Sequence, residues 1–552
     1  MKKLFSTRKE NLFPYLLALF ILSLISVYSL FHPGLPITHD GQDHVARIAN
    51  FYQSLEDGIL VPHWAKNLNW GFGHPILEFL YPLPSYFASF FHLLGFSFVE
   101  STKIVFGLGM VFSGIFMFLW LSEFLDKNSS FIGALLYMFT PYRFVDLYVR
   151  GAIGENFIFI FFPLVFYFFY KCYKKNKTYF SVLSGISLAF LILSHNAISL
   201  MFLPFIICYG LFLIYLSKNR KDLFVNLLVS FIIGFSLSFF FWFPAFIEGK
   251  YTLRNIVTAN DYLSRFVDLK SLIYGPWSYG YSGQFSVQIG ITNLAFLILS
   301  LLSLFIFRKK GNKNYYLTIG LIVYFLISVF FMLKQSSFIW ERISVLKNFQ
   351  FPWRFLSIPV FTTSVLAAIF LNLIKGKFKF IIIVIIAIAI LFLNKDYLQP
   401  KGYLYKSESF YAGIYNSTTD TGESSPIWGT RFMGYRPRAK MQVIDGNAII
   451  REKERTSIKH TYTVIALKKA RLLENTLYFP GWVILDNGKQ VLIEFQDTRY
   501  RGLMTFDVDK GSHEIGVYFL DTKVRQISNL ISFLAVLVVI GLFGIELRKK
   551  IK

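Results

Sequence analysis

Long apolar runs alternate with short polar loops along most of this chain of 552 residues. Runs of about 17–25 apolar residues predict transmembrane helices, because a helix of that length matches the hydrocarbon thickness of a bilayer. The pattern predicts about twelve crossings, near residues 12–31, 104–122, 129–145, 153–170, 178–194, 197–216, 223–245, 287–306, 315–333, 354–374, 379–394 and 526–546. We therefore expect a polytopic α-helical membrane protein.

The stretch at 397–525 differs from the rest because it is polar, rich in turns and patterned in short strands. Val483-Ile484-Leu485 and Val491–Phe495 flank the turn Asp486-Asn487-Gly488, which predicts a β-hairpin. Met504–Val508 and Ile515–Phe519 add strands, so we expect a small extracytoplasmic β-sandwich. The predicted domains are a multi-span domain at 1–396 with a long first external loop at 32–103, the β-sandwich at 397–525, and a final transmembrane helix with a basic cytoplasmic tail at 526–552.

The basic residues set the predicted orientation. A net charge of +24 would suggest nucleic acid binding in a soluble protein, but here basic residues concentrate in short loops between apolar spans, which is typical of cytoplasmic anchoring. The marker loops lie at the N-terminus and at 171–177, 218–221, 308–313, 375–379 and 548–552. They predict a plasma membrane protein with both termini cytoplasmic and with membrane lipids, not nucleic acid, as partners. The apolar segment Tyr81–Phe98 then has no crossing to make, and its Pro82 and Pro84 fit a re-entrant or interfacial piece.

A dense cluster of ionisable residues, Thr38–Arg47, follows the first span directly. In a helix, its members Asp40, Asp43, His44 and Arg47 lie at i, i+3, i+4 and i+7 and share one face. The opposite stripe is apolar and consists of Val45, Ile48, Ala49, Tyr52 and Leu55. The pattern predicts a helix on the membrane surface that presents two carboxylates, an imidazole and a guanidinium.

The other unusual polar residues map to the external ends of spans under this topology. They are Arg143, Asp146, Arg150, Glu155, His195 and Arg354. Charges beside hydrocarbon are unfavourable and tend to mark function, so the ring predicts a site at one membrane face. A lipid-linked sugar phosphate suits such a site, because arginines such as Arg143, Arg150 and Arg354 can bind phosphate oxygens bidentately.

A carboxylate in such a site can deprotonate an acceptor hydroxyl. Asp40 is the first candidate for this base and Asp43 the second, while His44 or His195 could orient the acceptor or neutralise the phosphate. The substrate-binding candidates are His39, His44, Arg47, Arg143, Arg150, Glu155, His195 and Arg354. No metal and no cofactor are predicted, and the two cysteines, Cys172 and Cys208, imply no disulfide or thiolate site.

Each of these residues also has a plainer structural interpretation. Asp40 could cap the surface helix, with Asp43 near its first turn. The ionisable residues at 143–150 could form only an interfacial ion-pair network, His195 could satisfy a tight turn, and Trp353-Arg354 could anchor a span. A divalent metal could bind among the loop histidines and aspartates, although their spacing matches no specific signature. The residues of that group are His39, Asp40, Asp43, His44, His63 and His74.

Several short motifs carry a family resemblance. They are His39-Asp40 with Asp43-His44 and Arg47, Trp70-Gly71-Phe72-Gly73-His74-Pro75, Pro141-Tyr142-Arg143 with Arg150-Gly151-Ala152 and Glu155, Ser194-His195-Asn196, Phe351-Pro352-Trp353-Arg354 and Tyr478-Phe479-Pro480-Gly481-Trp482. In these the chain resembles bacterial membrane proteins of the 6-pyruvoyl-tetrahydropterin-synthase-related group. That group is similar in layout to C-type glycosyltransferases, including the YfhO-like proteins.

The resemblance implies an inverting, metal-independent sugar transfer from a polyprenyl-phosphate donor on the extracytoplasmic side. It also implies an acidic base in the first external loop, which falls on Asp40 with Asp43 as the competing match. Many such enzymes have two adjacent acids there, whereas these two are separated by two residues. We expect a glycosyltransferase acting on a cell-envelope glycan, lipid or polymer. The alternatives are a transporter or flippase of lipid-linked glycans and an assembly factor that binds partners through the β-sandwich.

Overall fold

The computed structural model describes residues 11–281, 284–306 and 313–551. Its helices are α1 (Phe13–Ser26), α2 (Gly41–Glu56), α3 (Ile76–Phe79), α4 (Leu83–Leu93), α5 (Phe98–Leu121), α6 (Lys127–Met138), α7 (Pro141–Phe144), α8 (Ile153–Ile158), α9 (Phe161–Lys175), α10 (Thr178–Ser194), α11 (Asn196–Leu216), α12 (Arg220–Leu237), α13 (Phe239–Glu248), α14 (Arg254–Val257), α15 (Leu269–Ile273), α16 (Ile291–Ile306), α17 (Lys313–Met332), α18 (Ser337–Arg342), α19 (Ser344–Lys347), α20 (Ser357–Leu373), α21 (Lys379–Asn394), α22 (Glu408–Ala412) and α23 (Lys523–Ile551). A π-helical turn at Val145–Arg150 joins α7 to the segment before α8.

Helices occur at all twelve places where the hydrophobic pattern predicts a span. Among the described residues, seven helices are long and apolar enough to cross a membrane, or eight if the bent pair α12–α13 makes one span. Three shorter apolar helices, α1, α10 and the one at Ile291–Phe305, fall below that length. A multi-pass membrane protein is therefore confirmed, while the number of twelve crossings stays a prediction. Helix α4, in the segment expected not to cross, has 11 residues.

A β-sheet region precedes the last helix, as the sequence predicts. Its strands are β1 (Leu35–Pro36), which pairs with β2 (Tyr403–Leu404), and then β3 (Met441–Asp445), β4 (Ala448–Arg455), β5 (Lys459–Ala466), β6 (Ala470–Leu477), β7 (Trp482–Asp486), β8 (Lys489–Val491), β9 (Leu503–Val508) and β10 (Gly511–Phe519). One antiparallel sheet has the order β4-β5-β10-β7-β8 and the other β3-β6-β9. Asn487 and Gly488 both have positive φ, which a tight type I′ turn requires, so the predicted β7–β8 hairpin is confirmed.

The first loop packs into the β region. Trp64, Phe72 and Phe79 belong to the same apolar core as residues of both larger sheets. The Trp64 ring lies 5.3 Å from the Trp482 ring and 5.4 Å from the Phe519 ring. Because large apolar side chains in a shared core hold the elements that carry them together, the loop and the sheets form one unit.

The segment that precedes β3 covers the first loop from another side. The Tyr415 N–H donates to the Asn67 carbonyl at 2.8 Å, and the Asn69 N–H donates to the Ser417 carbonyl at 2.7 Å. This segment therefore lies against the loop that contains α2.

The orientation of the chain across the membrane stays a prediction from the basic loops. The basic residues expected in the cytoplasm at 1–10 and at 308–312 lie outside the described residues, and so does Lys552. Both free cysteines are described, with Cys172 buried and Cys208 exposed.

Candidate functional site

Backbone hydrogen bonds tie the start of α2 to the π-helical turn. The His39 N–H donates to the Val149 carbonyl at 3.0 Å, and the Asp40 N–H donates to the Arg150 carbonyl at 2.8 Å. Two segments more than a hundred residues apart in sequence therefore meet here. The contact places the acidic cluster of the first loop beside the polar ends of the membrane helices.

Gly151 is what lets these two segments approach. Its φ is +66°, and a Cβ at this position would lie 2.2 Å from the Thr38 Oγ1 and 3.1 Å from the Gly41 nitrogen. Glycine adopts the left-handed region without strain and has no side chain to collide there. Gly151 is therefore required by both its conformation and its neighbours.

We expect Gly151→Ala to lower the free energy of unfolding by about 1–3 kcal/mol, because the new methyl group adds strain and displaces Thr38. Thermal unfolding of the purified protein measures the effect. Gly107→Ala is the matched control, since no neighbouring atom lies within 4 Å of its Cβ position. Equal stability of the two variants would contradict the steric argument.

Asp40 precedes the first residue of α2 but does not cap the helix. The Gly41 N–H donates instead to the Thr38 Oγ1 at 3.1 Å, and the Asp40 side chain makes no cap hydrogen bond. The interpretation of Asp40 as a capping residue is therefore wrong. Its partly exposed carboxylate forms no hydrogen bond and no ion pair with any residue that the structure describes.

Asp43, one turn further along α2, is engaged. The Tyr415 hydroxyl donates to its Oδ1 at 3.0 Å and accepts a hydrogen bond from the Gln42 side-chain amide at 2.7 Å. Burial raises the pKa of the Asp43 carboxyl, and the nearby Arg47 guanidinium opposes that rise. Asp43 and Asp40 therefore have different environments although they share one helix face.

Arg47 is a buried cation that donates to a hydroxyl and to an imidazole. It is 7% exposed, and no carboxylate of the described residues lies within ion-pair distance. Its Nε donates to the Thr419 Oγ1 at 2.9 Å, and its Nη1 donates to the His44 Nδ1 at 3.2 Å. Because a guanidinium only donates, the His44 ring accepts at Nδ1, and burial keeps the pKa of His44 well below its ordinary value.

Glu155 is the hub of a cationic cluster. It accepts two hydrogen bonds from Arg150 at 2.7 and 2.8 Å, one from the Arg354 Nε at 2.9 Å and one from the Tyr142 hydroxyl at 2.9 Å. The His195 Nε2 lies 3.8 Å from the same carboxylate. These contacts bring together residues that lie far apart in sequence.

The two arginines of this cluster differ in how many of their N–H groups are already bound to the described residues. Arg150 also donates from Nη1 to Asp146 at 2.6 Å and lies over the Trp353 ring at 4.3 Å, so both of its terminal nitrogens bind carboxylates. Arg354 donates from Nη1 to the Phe349 carbonyl at 3.0 Å, whereas its Nη2 has no partner among the described residues. Arg354 is therefore better suited than Arg150 to bind a phosphate.

Arg143 does not belong to this cluster. It is completely buried, donates to the Gly109 carbonyl at 3.2 Å and the Ser113 hydroxyl at 3.2 Å, and lies over the Phe159 ring at 4.1 Å. These contacts are with the interiors of α5 and of the segment after α8. The Arg143 guanidinium is thus enclosed by helices, and its assignment to a phosphate stays a prediction from the sequence.

The two remaining histidine candidates line the same region. The His195 ring stacks on Tyr81 at 4.7 Å, and its Nδ1 accepts from the Ile198 N–H at 3.3 Å at the start of α11. The structural role in the turn is thus present alongside its proximity to Glu155. His39 stacks on Tyr281 at 5.7 Å, and burial lowers the pKa of its ring.

The sequence did not indicate Thr419 or Asp420 as site residues, and it indicated His74 only as a possible metal ligand. Thr419 has φ +66°, an unusual conformation for a β-branched residue, and its hydroxyl holds Arg47. Asp420 accepts from the Gly422 and Ser424 N–H groups at 2.9 and 3.0 Å. His74 is fully buried and its Nε2 lies 3.1 Å from the Ser425 hydroxyl. The aspartate, threonine and glycine of this loop signal a turn, but no local pattern shows which helix it covers.

His74 predicts a pH dependence of stability. Burial lowers its pKa from 6.5 to about 4, so between these values the unfolded chain binds a proton that the folded chain does not. Stability therefore falls as the pH drops from about 6.5 towards 4, by up to about 3 kcal/mol from this group. We expect His74→Gln to flatten the dependence of melting temperature on pH, with the exposed His32→Gln as the control. Parallel profiles for the two variants would contradict this assignment.

The histidines and aspartates of the first loop are the alternative candidates for a metal site. No group of three or more histidine, cysteine, aspartate or glutamate side chains among the described residues is arranged to hold a metal ion. His63 lies apart from Asp40, with its Nε2 3.9 Å from Asp521.

The apolar helices define a multi-pass membrane protein. The 6-pyruvoyl-tetrahydropterin synthase related domain, described as a membrane protein, matches residues 77–398. This match covers more than half of the chain, and the chain belongs to that family of membrane proteins.

The chain is also similar to one relative and to two solved structures. An uncharacterized protein of Lactococcus lactis subsp. cremoris (strain MG1363) is 29% identical over 323 residues, which cover 56% of this chain and about half, 52%, of the relative. The cryo-EM structure of the mycobacterial arabinofuranosyltransferase AftD aligns with a TM-score of 0.48 at 15% identity, over 70% of this chain and 27% of AftD. The Archaeoglobus fulgidus oligosaccharyltransferase, crystallised with Zn and sulfate, aligns at 0.47 and 15% identity, over 74% of this chain and 58% of that enzyme.

Proposed function

We propose that this protein is a membrane glycosyltransferase that transfers a sugar from a polyprenyl-phosphate donor to an extracytoplasmic cell-envelope acceptor, with Asp40 as the general base. The observation that carries this proposal is that the Asp40 carboxylate forms no hydrogen bond or ion pair with the described residues. The neighbouring acids are all engaged, because Asp43 accepts from a tyrosine hydroxyl, Asp420 from backbone N–H groups, and Asp146 and Glu155 from arginines. Asp40 is thus the acid of this site best able to accept a proton from a substrate.

The chemistry follows from that geometry. The Asp40 carboxylate accepts the proton of an acceptor hydroxyl while the acceptor oxygen forms a bond to the anomeric carbon of the donor. The bond between that carbon and the phosphate oxygen breaks, and its electron pair leaves with the polyprenyl phosphate. Attack from the face opposite the leaving phosphate inverts the configuration of the sugar.

The leaving phosphate needs preorganised donors. Arg47 and Arg354 each have a charged group with hydrogen-bonding capacity remaining, and Arg47 forms no ion pair with a carboxylate of the described residues. In a buried site such donors stabilise developing negative charge much more strongly than they would in water. We assign them to the phosphate, in place of the trio that includes Arg143. Arg150 and Glu155 then hold Arg354 and His195 in position.

The membrane placement is also part of the proposal. The polar cluster lies where membrane helices end and where the first loop and the segment before β3 cover them. A donor with a polyprenyl chain would keep its tail in the bilayer and its phosphate at this interface. The basic loops predict the cytoplasm at the opposite side, so the site would be extracytoplasmic and both termini cytoplasmic.

The test is a transfer assay with the full-length protein in lipid nanodiscs. Radiolabelled polyprenyl-phosphate sugars are offered with envelope glycans as acceptors, and product is measured by loss of label from the lipid. Wild-type transfer that depends on the acceptor is the expected result. Translocation of the lipid-linked sugar across the bilayer without transfer would instead favour a flippase. The absence of both transfer and translocation would contradict the proposal.

A further inference from the structure

A cavity of about 730 Å³ opens beside Asp43, on the outer side of α2. Its lining includes Gln42, Phe410, Tyr415 and Asn416 together with serine hydroxyls. We propose that this cavity binds the acceptor as a glycan of a few sugar units. This inference rests on the proposed function, because it names the substrate that occupies the second half of the site.

The lining has the chemistry that carbohydrates require. Hydroxyl and amide groups from Ser407, Ser409 and Asn416 can exchange hydrogen bonds with sugar hydroxyls. Phe410 is 36% exposed, and its ring can pack against the apolar face of a sugar. A cavity of this size with a few convergent polar groups is typical of small-ligand sites.

Arg436 shapes the rim of the cavity. Its Nε donates to the Asn416 side-chain oxygen at 2.8 Å and its Nη2 donates to the Ile414 carbonyl at 2.9 Å. The Nη1 has no partner among the described residues, so it can donate to a glycan oxygen. The bond from Nε also holds the Asn416 side chain in place for the ligand.

A cavity-lining residue and the proposed base share one face of α2. Asp43 lines the cavity, and Asp40 lies three residues earlier, about 4.5 Å along the axis for helical geometry. Tyr415, whose hydroxyl binds both Gln42 and Asp43, also lines the cavity. A glycan bound here would therefore direct its terminal hydroxyl past Asp43 towards Asp40.

The experiment measures glycan binding apart from catalysis. Full-length protein in nanodiscs, without any glycoside detergent, is mixed with gluco-, galacto-, rhamno- and chito-oligosaccharides of two to four units, and binding is followed by saturation-transfer NMR. We expect at least one of these to bind, and Phe410→Ala and Arg436→Ala to weaken that binding at least fivefold. Arg451→Ala, an exposed arginine on β4, is the matched control, and melting temperatures verify that the variants fold.

The outcomes separate this inference from the proposed function. No binding by wild type, or equal binding by Phe410→Ala and Arg436→Ala, would overturn the cavity assignment. If both variants weaken glycan binding but the wild type transfers no sugar, the glycan site would stand. The proposal that the protein is a glycosyltransferase would then be overturned. If the protein transfers sugar and the acceptor KM is unchanged in both variants, the glycosyltransferase proposal would stand and the cavity assignment would be overturned.

Discussion

Asp40→Asn is expected to lower the rate of sugar transfer by about 10²–10⁴-fold, which is the contribution of a positioned general base. The substitution keeps the size of the side chain and removes its ability to accept the proton. Because the carboxylate forms no hydrogen bond or ion pair with the described residues, the fold should tolerate the change. The measurement is the initial rate of label transfer in nanodiscs, with the melting temperature recorded on the same samples.

Two variants control this experiment. Asp445→Asn changes an exposed carboxylate in the β region and should leave transfer unchanged. Asp43→Asn removes an acid that Tyr415 already binds, so we expect a loss of less than about tenfold, which is smaller than the contribution of a general base. If Asp43→Asn instead abolishes transfer and Asp40→Asn does not, the base is Asp43. If both retain full activity, the acid-base assignment is wrong.

The helical period explains how much of α2 was predictable. The apolar stripe of Val45, Ile48 and Ala49 is buried as the pattern predicts. The polar face is different, because His44 and Arg47 are buried as well. A helical pattern shows which residues share a face. The segment that packs on this face contains Thr419 and lies more than 350 residues later in the chain. Local periodicity contains no information on so distant a partner.

Two of the three arginine candidates show a second limit of prediction from the hydrophobic pattern. Arg143 and Arg150 are near each other in sequence and lie at the same end of a predicted span. The chain forms a π-helical turn between them, and this turn changes the angular spacing of side chains from that of an α-helix. Arg143 therefore points among the membrane helices while Arg150 meets Glu155. Hydropathy and charge predicted the interfacial location but not this difference.

Glu155→Gln is expected to lower the free energy of unfolding by about 3–5 kcal/mol, the usual loss when one partner of a buried ion pair is removed. Glu155 is 2% exposed and neutralises both Arg150 and Arg354. The amide keeps the shape of the side chain but leaves the two guanidinium groups with less negative charge. Thermal unfolding followed by intrinsic fluorescence measures the loss.

A second substitution tests whether Glu155 and Arg354 are coupled within the network. In the Glu155→Gln background, Arg354→Gln should destabilise much less than it does in wild type, because its guanidinium has already lost its partner. Glu341→Gln, at an exposed glutamate, is the control and should stay within about 0.5 kcal/mol of wild type. Additive effects of the two network substitutions would show that Glu155 and Arg354 act independently, and Glu155 would then not be the hub that positions the phosphate-binding arginine.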